Sequence, residues 1–159
     1  MTQRVNYASH AKVLIQKLQE LTLMVKQESL EGSLINLVVL RASQINHCTF
    51  CVDMHAKEAK IDGERELRLY HLPVFRESPL FSDREKAALE WTEAVTRLSE
   101  TPISDALFTH LKKHFSDKEL TDLTSVIGII NLWNRFAASF QTPPGALDGL
   151  YGLDKAGLS

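Results

Sequence analysis

Residues 34–45 read Leu-Ile-Asn-Leu-Val-Val-Leu-Arg-Ala-Ser-Gln-Ile, a run so apolar that its periodicity alone fits either a buried strand or a buried helix. The rest of the chain decides between them. No other segment alternates apolar and polar residues as a strand does, so nothing can pair with the run, and it is read as a helix. On its N-terminal side Gly32-Ser33 offers a break and an N-cap. Before that, a helix over residues 7–26 places Leu14, Leu18, Leu21 and Val25 on one apolar stripe. On the C-terminal side a helix from about Cys48 to Lys60 ends at Asp62-Gly63, Gly63 being suited to a left-handed terminal residue. A short helical turn over residues 64–70 precedes Pro73.

Two capping boxes follow, in which a Ser and a Glu three residues apart satisfy each other's amides. Ser82-Asp83-Arg84-Glu85 opens a helix to about Leu98, and Ser116-Asp117-Lys118-Glu119 opens a long apolar helix to about Phe140, halted by Pro143-Pro144. Between them Ser104 caps a helix to about His114. The Gly-rich tail from Gly145 reads as surface or interface material. The expectation is an all-α domain of about six to seven helices, one domain spanning residues 1–159 with its core at about 5–145.

At 159 residues, 44% hydrophobic and 24% charged, the chain has the composition of one ordinary globular domain, which excludes disordered and fibrous classes. Eighteen Lys+Arg against twenty Asp+Glu give a formal charge of -2, and no basic cluster interleaved with aromatics is present, so no nucleic-acid partner is expected. The N-terminus lacks a signal-peptide pattern and no run is long and apolar enough for a membrane span, so a cytoplasmic protein without a membrane partner is expected. Two cysteines are too few to staple a secreted fold. In a reducing compartment Cys48-x-x-Cys51 points to redox chemistry or metal binding.

On a helix, Cys48, Cys51 and His55 fall within about 60° of one another around the axis. The two sulfurs can form a disulfide, and an imidazole one turn on can accept a thiol proton. If Cys48 starts the helix, with Asn46 or His47 as cap, the free amides and the dipole end favour its thiolate. Two other readings compete, and two more are excluded. The thiols can be small buried hydrophobes. They can also join His55, or the distant pair His110 and His114, in a zinc site, although a structural zinc site draws its halves from closer segments, and His110 and His114 read as a solvated helix face. A c-type haem is excluded because Val52 follows Cys51, and a thioredoxin motif needs a sheet.

The run from Leu40 to Ala59, RASQINHCTFCVDMHAKEA after Leu40, closely resembles the core motif of the AhpD-like alkylhydroperoxidase branch of the carboxymuconolactone decarboxylase family. Asn131-Leu132-Trp133-Asn134-Arg135 resembles a second stretch in that family's last long helix. The resemblance implies an all-α fold, assembly as a homo-oligomer (dimer, trimer or hexamer), no cofactor, and a peroxidase cycle that draws electrons from an external thiol or dithiol. It implies that Cys51 attacks the peroxide, Cys48 resolves the sulfenic acid as a disulfide, and His55 relays protons. Helix-end electrostatics point instead to Cys48 as the more acidic thiol.

Two positions depart from the family pattern. Where the family places a relay glutamate this chain has Asn36, and where AhpD has a histidine before its second cysteine this chain has Phe50. An amide can orient a partner but exchanges no proton at neutral pH, so slower turnover or a different substrate is expected, with His47 as a possible substitute and Glu28 and Glu31 in the vicinity. Asn131 and Asn134 are expected to bond the loop before Cys48, Arg135 to pair with Asp53 or Glu58, and Trp91 and Trp133 to anchor core or interface. The alternatives to a peroxidase are a carboxymuconolactone decarboxylase-type lyase, which does not depend on CxxC, and a redox-responsive scaffold with weak turnover.

Overall fold

A computed structural model describes residues 2–158. Among them are nine α-helices and no strand: α1 (Tyr7–His10), α2 (Lys12–Lys26), α3 (Gly32–Ile45), α4 (Thr49–Ile61), α5 (Glu66–His71), α6 (Asp83–Thr96), α7 (Asp105–Leu111), α8 (Asp117–Ser139) and α9 (Asp148–Tyr151). Two short 3-10 segments, Leu72–Val74 and Leu153–Ala156, complete them. Among the described residues no helix is long and apolar enough to cross a membrane.

The ambiguous run 34–45 is α3, and its burial explains the ambiguity. Every residue from Leu34 to Leu40 is buried, because the helix separates two apolar cores. One face, with Ile35, Val38, Val39 and Ala42, packs on Ala87, Ala88 and Trp91 of α6 and on Leu123, Ile127 and Ile130 of α8. The other, with Leu37 and Leu40, packs on Ala59 of α4, Leu69, Leu72, Phe75 and Leu89. A helix with apolar neighbours all round has no polar face to mark a period.

Both capping boxes form as expected. Gly63 ends α4 at φ 91°, which lets Glu64 N–H reach back to Ala59 O at 2.9 Å. Arg84 in the first turn of α6 donates to Glu119 of the second box at 2.7 Å and to Glu31 at 3.2 Å, drawing the starts of α6, α8 and α3 together.

Five expectations change. The single helix over residues 7–26 breaks at Ala11 (φ -125°, ψ 43°), and the separate turn α1 lays Tyr7 against Phe136 and Phe140 at 5.2 and 5.8 Å between ring centres. The inward face of α2 is Ile15, Leu18 and Val25, while Leu14 and Leu21 of the expected stripe are exposed beside Val13, Leu23 and Met24. α3 begins at Gly32 with Glu31 in the cap position and no side-chain cap, so Ser33 lies inside the helix. Finally, the tail is packed structure: Leu153 and Ala156 are buried, and the segment lies along α4. With the short elements α1 and α9 the helix count exceeds the expected six to seven.

The second capping box carries a pH prediction. The Ser116 N–H and hydroxyl, each 2.8 Å from Glu119 Oε2, and then Arg84 hold the Glu119 carboxyl down at about 2 from an ordinary 4.5. A depressed carboxylate contributes stability that is complete above its unfolded pKa and is lost as pH falls through the folded one. The difference in unfolding free energy between the wild type and Glu119→Gln is therefore expected to be constant above about pH 5. It should close as pH falls towards 2, which urea denaturation at a series of pH values measures.

Candidate functional site: a dithiol helix on an apolar cavity

The site begins at the three-residue turn from α3 into α4. Asn46 N–H bonds Ala42 O at 3.0 Å and Cys48 N–H bonds Ser43 O at 3.1 Å, with His47 between them in the left-handed region at φ 53°. The Asn46 side chain donates to Asn131 Oδ1 at 2.9 Å and to Asn134 Oδ1 at 2.8 Å. Asn134, almost fully buried, donates to Ser43 Oγ at 3.1 Å, and Asn131 donates to Ile127 O and to Thr96 Oγ1. The turn is thus stitched to α8 through the half-buried amides of Asn46 and Asn131 and the buried amide of Asn134, as the sequence led one to expect of Asn131 and Asn134.

This turn delivers Cys48 to the N-cap of α4. Neither Asn46 nor His47 caps the helix; Cys48 does so itself, its Sγ accepting from the Cys51 N–H at 3.3 Å. Asn46 is committed to α8, and His47 is exposed in its left-handed conformation. Cys48 and Cys51 are joined by a disulfide with their Cα atoms 5.3 Å apart, and both are buried, at 1% and 2% exposure.

Cys51 and His55 line a cavity of about 490 Å³ whose walls come from α1, α2, α4, α8, Val39 of α3 and the C-terminal segment. Its walls are mainly apolar and include Ile15, Phe50, Met54 and Trp133, whereas Cys48 takes no part in them. Leu147 and Tyr151 contribute from the tail. That segment is fastened by Lys57, buried on α4, whose ammonium bonds Asp148 at 2.6 Å and Asp53 at 2.9 Å; Asp53 also accepts from Gly145 N–H at 2.9 Å. The bonds to Asp148 and then Asp53 hold the Lys57 ammonium above its ordinary range, against the burial that opposes charge.

His55 is buried. Its Nδ1 lies 2.7 Å from Glu58 Oε2, and its Nε2 has no hydrogen-bond partner among the described residues. Burial opposes ionisation of the Glu58 carboxyl, but the bond to His55 and the neighbouring Lys26 ammonium, 3.8 Å away, outweigh it and hold Glu58 below the usual carboxylate range. Glu58 and Lys26 also line the cavity.

The remaining sequence candidates lie elsewhere. Asn36 is buried, but its Nδ2 donates to Asp62 at the end of α4, at 2.8 Å, and it does not line the cavity. Glu28 pairs with Lys118 at 2.6 Å and Glu31 with Arg84. Arg135 does not reach Asp53 or Glu58, which are taken by Lys57 and His55; it folds back onto Asn131 O at 2.8 Å. Trp91 and Trp133 donate to Thr124 and Thr22 respectively. His110 and His114, both half-buried, meet edge to face with 5.1 Å between ring centres. Among the described residues no three His, Cys, Asp or Glu side chains converge as a metal site requires. Sequence reasoning passed over the partnership of Glu58 with His55, although a carboxylate three residues beyond a histidine shares its helix face.

The model of the carboxymuconolactone decarboxylase family matches residues 14–94. Uncharacterized protein YdfG of Bacillus subtilis (strain 168) is 35% identical over 137 residues, covering 86% of this chain and 93% of that protein. The crystal structure of ATU0492 from Agrobacterium tumefaciens, a protein of unknown function ascribed to AhpD antioxidant defence, superposes with a TM-score of 0.88 at 41% identity, over 91% of this chain and 99% of that one. A Ralstonia eutropha JMP134 peroxidase-related protein with an alkylhydroperoxidase AhpD core shares the fold at a TM-score of 0.76 and 22% identity, over 87% of this chain and 74% of that one.

The amide cluster under the turn is open to a direct test. Asn46→Ala removes the donor shared by Asn131 and Asn134 and leaves the buried Asn134 oxygen unsatisfied, at an expected cost of about 1–3 kcal/mol. Urea denaturation of the oxidised protein measures that loss. The same variant is expected to form the Cys48–Cys51 disulfide more slowly from the dithiol, as followed by loss of free thiol.

Proposed function

The chain belongs to the AhpD-like branch of the carboxymuconolactone decarboxylase family, and we propose that it is a thiol-dependent peroxidase working through a Cys48–Cys51 dithiol/disulfide cycle. The observation that carries this reading is the common placement of Cys51 and His55 on the cavity wall, with Cys48 bonded to Cys51 but absent from that wall. A peroxide in the cavity meets Cys51 and His55 together. Cys51 is thus the attacking thiol, Cys48 the resolving one and His55 the proton relay.

In the reduced protein His55 Nε2 takes the Cys51 proton, and the thiolate attacks one peroxide oxygen. An S–O bond forms as the O–O bond breaks, and the departing alkoxide takes the proton back from His55, leaving Cys51 sulfenic acid and an alcohol. The Cys48 sulfur then attacks Cys51 Sγ; the S–S bond forms, the S–O bond breaks, and hydroxide leaves as water with the Cys48 proton. Two thiols have given two electrons to one peroxide, and an external dithiol, or two thiols, returns two electrons and two protons to close the cycle. Cys48 at the N-cap suits its part, since the Cys51 amide and the helix end stabilise negative charge on its sulfur whenever the disulfide opens.

The apolar walls favour an organic hydroperoxide over hydrogen peroxide. Burying about 60 Å² of apolar surface supplies about 1.4 kcal/mol, or tenfold. The exposed apolar side chains of α2, Val13, Leu14, Leu23 and Met24, suit burial in a homo-oligomer.

Consumption of cumene hydroperoxide with dithiothreitol as electron source tests the reading. Wild type is expected to turn over, with kcat/KM at least about tenfold higher than for hydrogen peroxide. Cys51→Ser should lose activity, while Cys48→Ser should perform a single turnover and leave a dimedone-trappable sulfenic acid on Cys51. Turnover that survives Cys51→Ser would overturn the mechanism, and a wild type that consumes no peroxide would favour the redox-responsive scaffold.

A further inference from the structure

The buried imidazole of His55 poses a question that the cycle alone leaves unanswered. One ring nitrogen is engaged by Glu58, yet the other, Nε2, is buried with no partner. A buried polar atom left unpaired costs on the order of 1–3 kcal/mol, so it calls for a state in which a partner exists. A disulfide sulfur carries no proton and so cannot donate to it. Reduction places a thiol on Cys51, one helical turn before His55 on the same face of α4.

We propose that Glu58 is the positioning residue of this site: its carboxylate holds the hydrogen of His55 on Nδ1 and keeps Nε2 bare as the acceptor for the Cys51 thiol proton. The proposal deepens the peroxidase reading and rests on it for the identity of the oxidant, though not for the link between Glu58 and the thiol. Three observations support it.

Asn36, at the position where a relay carboxylate is expected, is turned to Asp62 and does not line the cavity, so the function of a carboxylate beside His55 falls to another residue. Glu58 is that residue by contact, at 2.7 Å. An ionised carboxylate only accepts, so the ring nitrogen facing it must carry the hydrogen, which leaves the lone pair on Nε2. Lastly, Glu58 is about a quarter exposed (27%) and Lys26 from the last turn of α2 lies 3.8 Å from it, so the far end of the arrangement reaches solvent beside a countercharge. Glu58 is bonded to His55 and to neither sulfur; it acts through His55, by fixing the tautomer and by stabilising the imidazolium once the proton has moved.

The test uses the Cys48→Ser chain, in which Cys51 is the single thiol, with and without Glu58→Gln. Two reactions of Cys51 are followed: alkylation by iodoacetamide, which needs no peroxide chemistry, and oxidation by cumene hydroperoxide. Glu58→Gln keeps the shape of the side chain and removes its charge, and it is expected to slow both reactions at least about tenfold with the fold retained by circular dichroism. Nitrogen-15 NMR should show the Nδ1–H tautomer of His55 in the parent and lose that fixed tautomer in Glu58→Gln, whose amide can donate as well as accept. A folded Glu58→Gln protein that reacts within about threefold of the parent in both assays, or that slows with peroxide alone, overturns the proposal. If the parent fails to react with peroxide while Glu58→Gln still slows alkylation, the peroxidase reading falls and the role of Glu58 stands. Should Glu58→Gln not fold, Glu58→Asp takes its place: its shorter carboxylate must slow both reactions, and parent-like rates would overturn the proposal equally.

Discussion

The architecture depends on one constraint: α3 is buried on all sides. A helix whose residues from Leu34 to Leu40 are all buried must have helices packed against each face, and α4, α6 and α8 supply them. The chain leaving such a helix has little room to wander, because any loose backbone there would bury unpaired amides and carbonyls. The turn into α4 is accordingly three residues long, with its backbone bonded to Ala42 and Ser43 and the Asn46 side chain bonded to Asn131 and Asn134. The position of the dithiol is a consequence of how the central helix ends.

That placement separates two properties of the sulfurs that the sequence left in conflict. Helix-end electrostatics favour negative charge on Cys48, whereas the family resemblance gives the attack on peroxide to Cys51. Cys48 is indeed the N-cap, with the Cys51 amide aimed at its sulfur, and Cys51 lines the cavity. Under the proposed cycle the two properties serve different steps. Contact with substrate decides which sulfur attacks, and charge stabilisation decides which sulfur leaves when the disulfide is reduced. Buried ions elsewhere hold the scaffold still: burial would raise the Glu93 carboxyl, but Arg76 and then Arg41 hold it down, and this ion cluster ties α3 to α6.

Much of this was legible in the sequence because it is local. Ser82 with Glu85, Ser116 with Glu119, and Gly63 after α4 each act within one helical turn, and all formed as read. The bond from Asn134 to the turn before Cys48 was legible only through the family resemblance, since it spans 88 positions of the chain. What escaped was decided by tertiary contact. The side of α2 that faces inward depends on where α8 lies, so Ile15 was buried and Leu14 was not. The tail read as surface or interface material because its glycines are poor helix formers, yet Lys57 binds it through Asp148, ninety-one positions away. Glu58 escaped because a surface-looking carboxylate in a charged stretch gives no sign that its neighbour His55 will be buried.

The cavity also bears on the reductive half of the proposed cycle. Both sulfurs are almost fully buried, and only Cys51 takes part in the cavity wall, so peroxide and reductant have the same sulfur as their target and the same space through which to approach it. Parts of that wall come from the shortest elements of the fold. Tyr7 of α1 is held by ring contacts with Phe136 and Phe140, and the segment around Tyr151 of α9 by the Lys57 bridge. One-turn helices have little hydrogen bonding of their own, and their positions depend on such anchors. Under the proposed cycle the anchors of α1 and α9 therefore shape the space in which a reducing thiol meets Cys51, alongside the chemistry at sulfur.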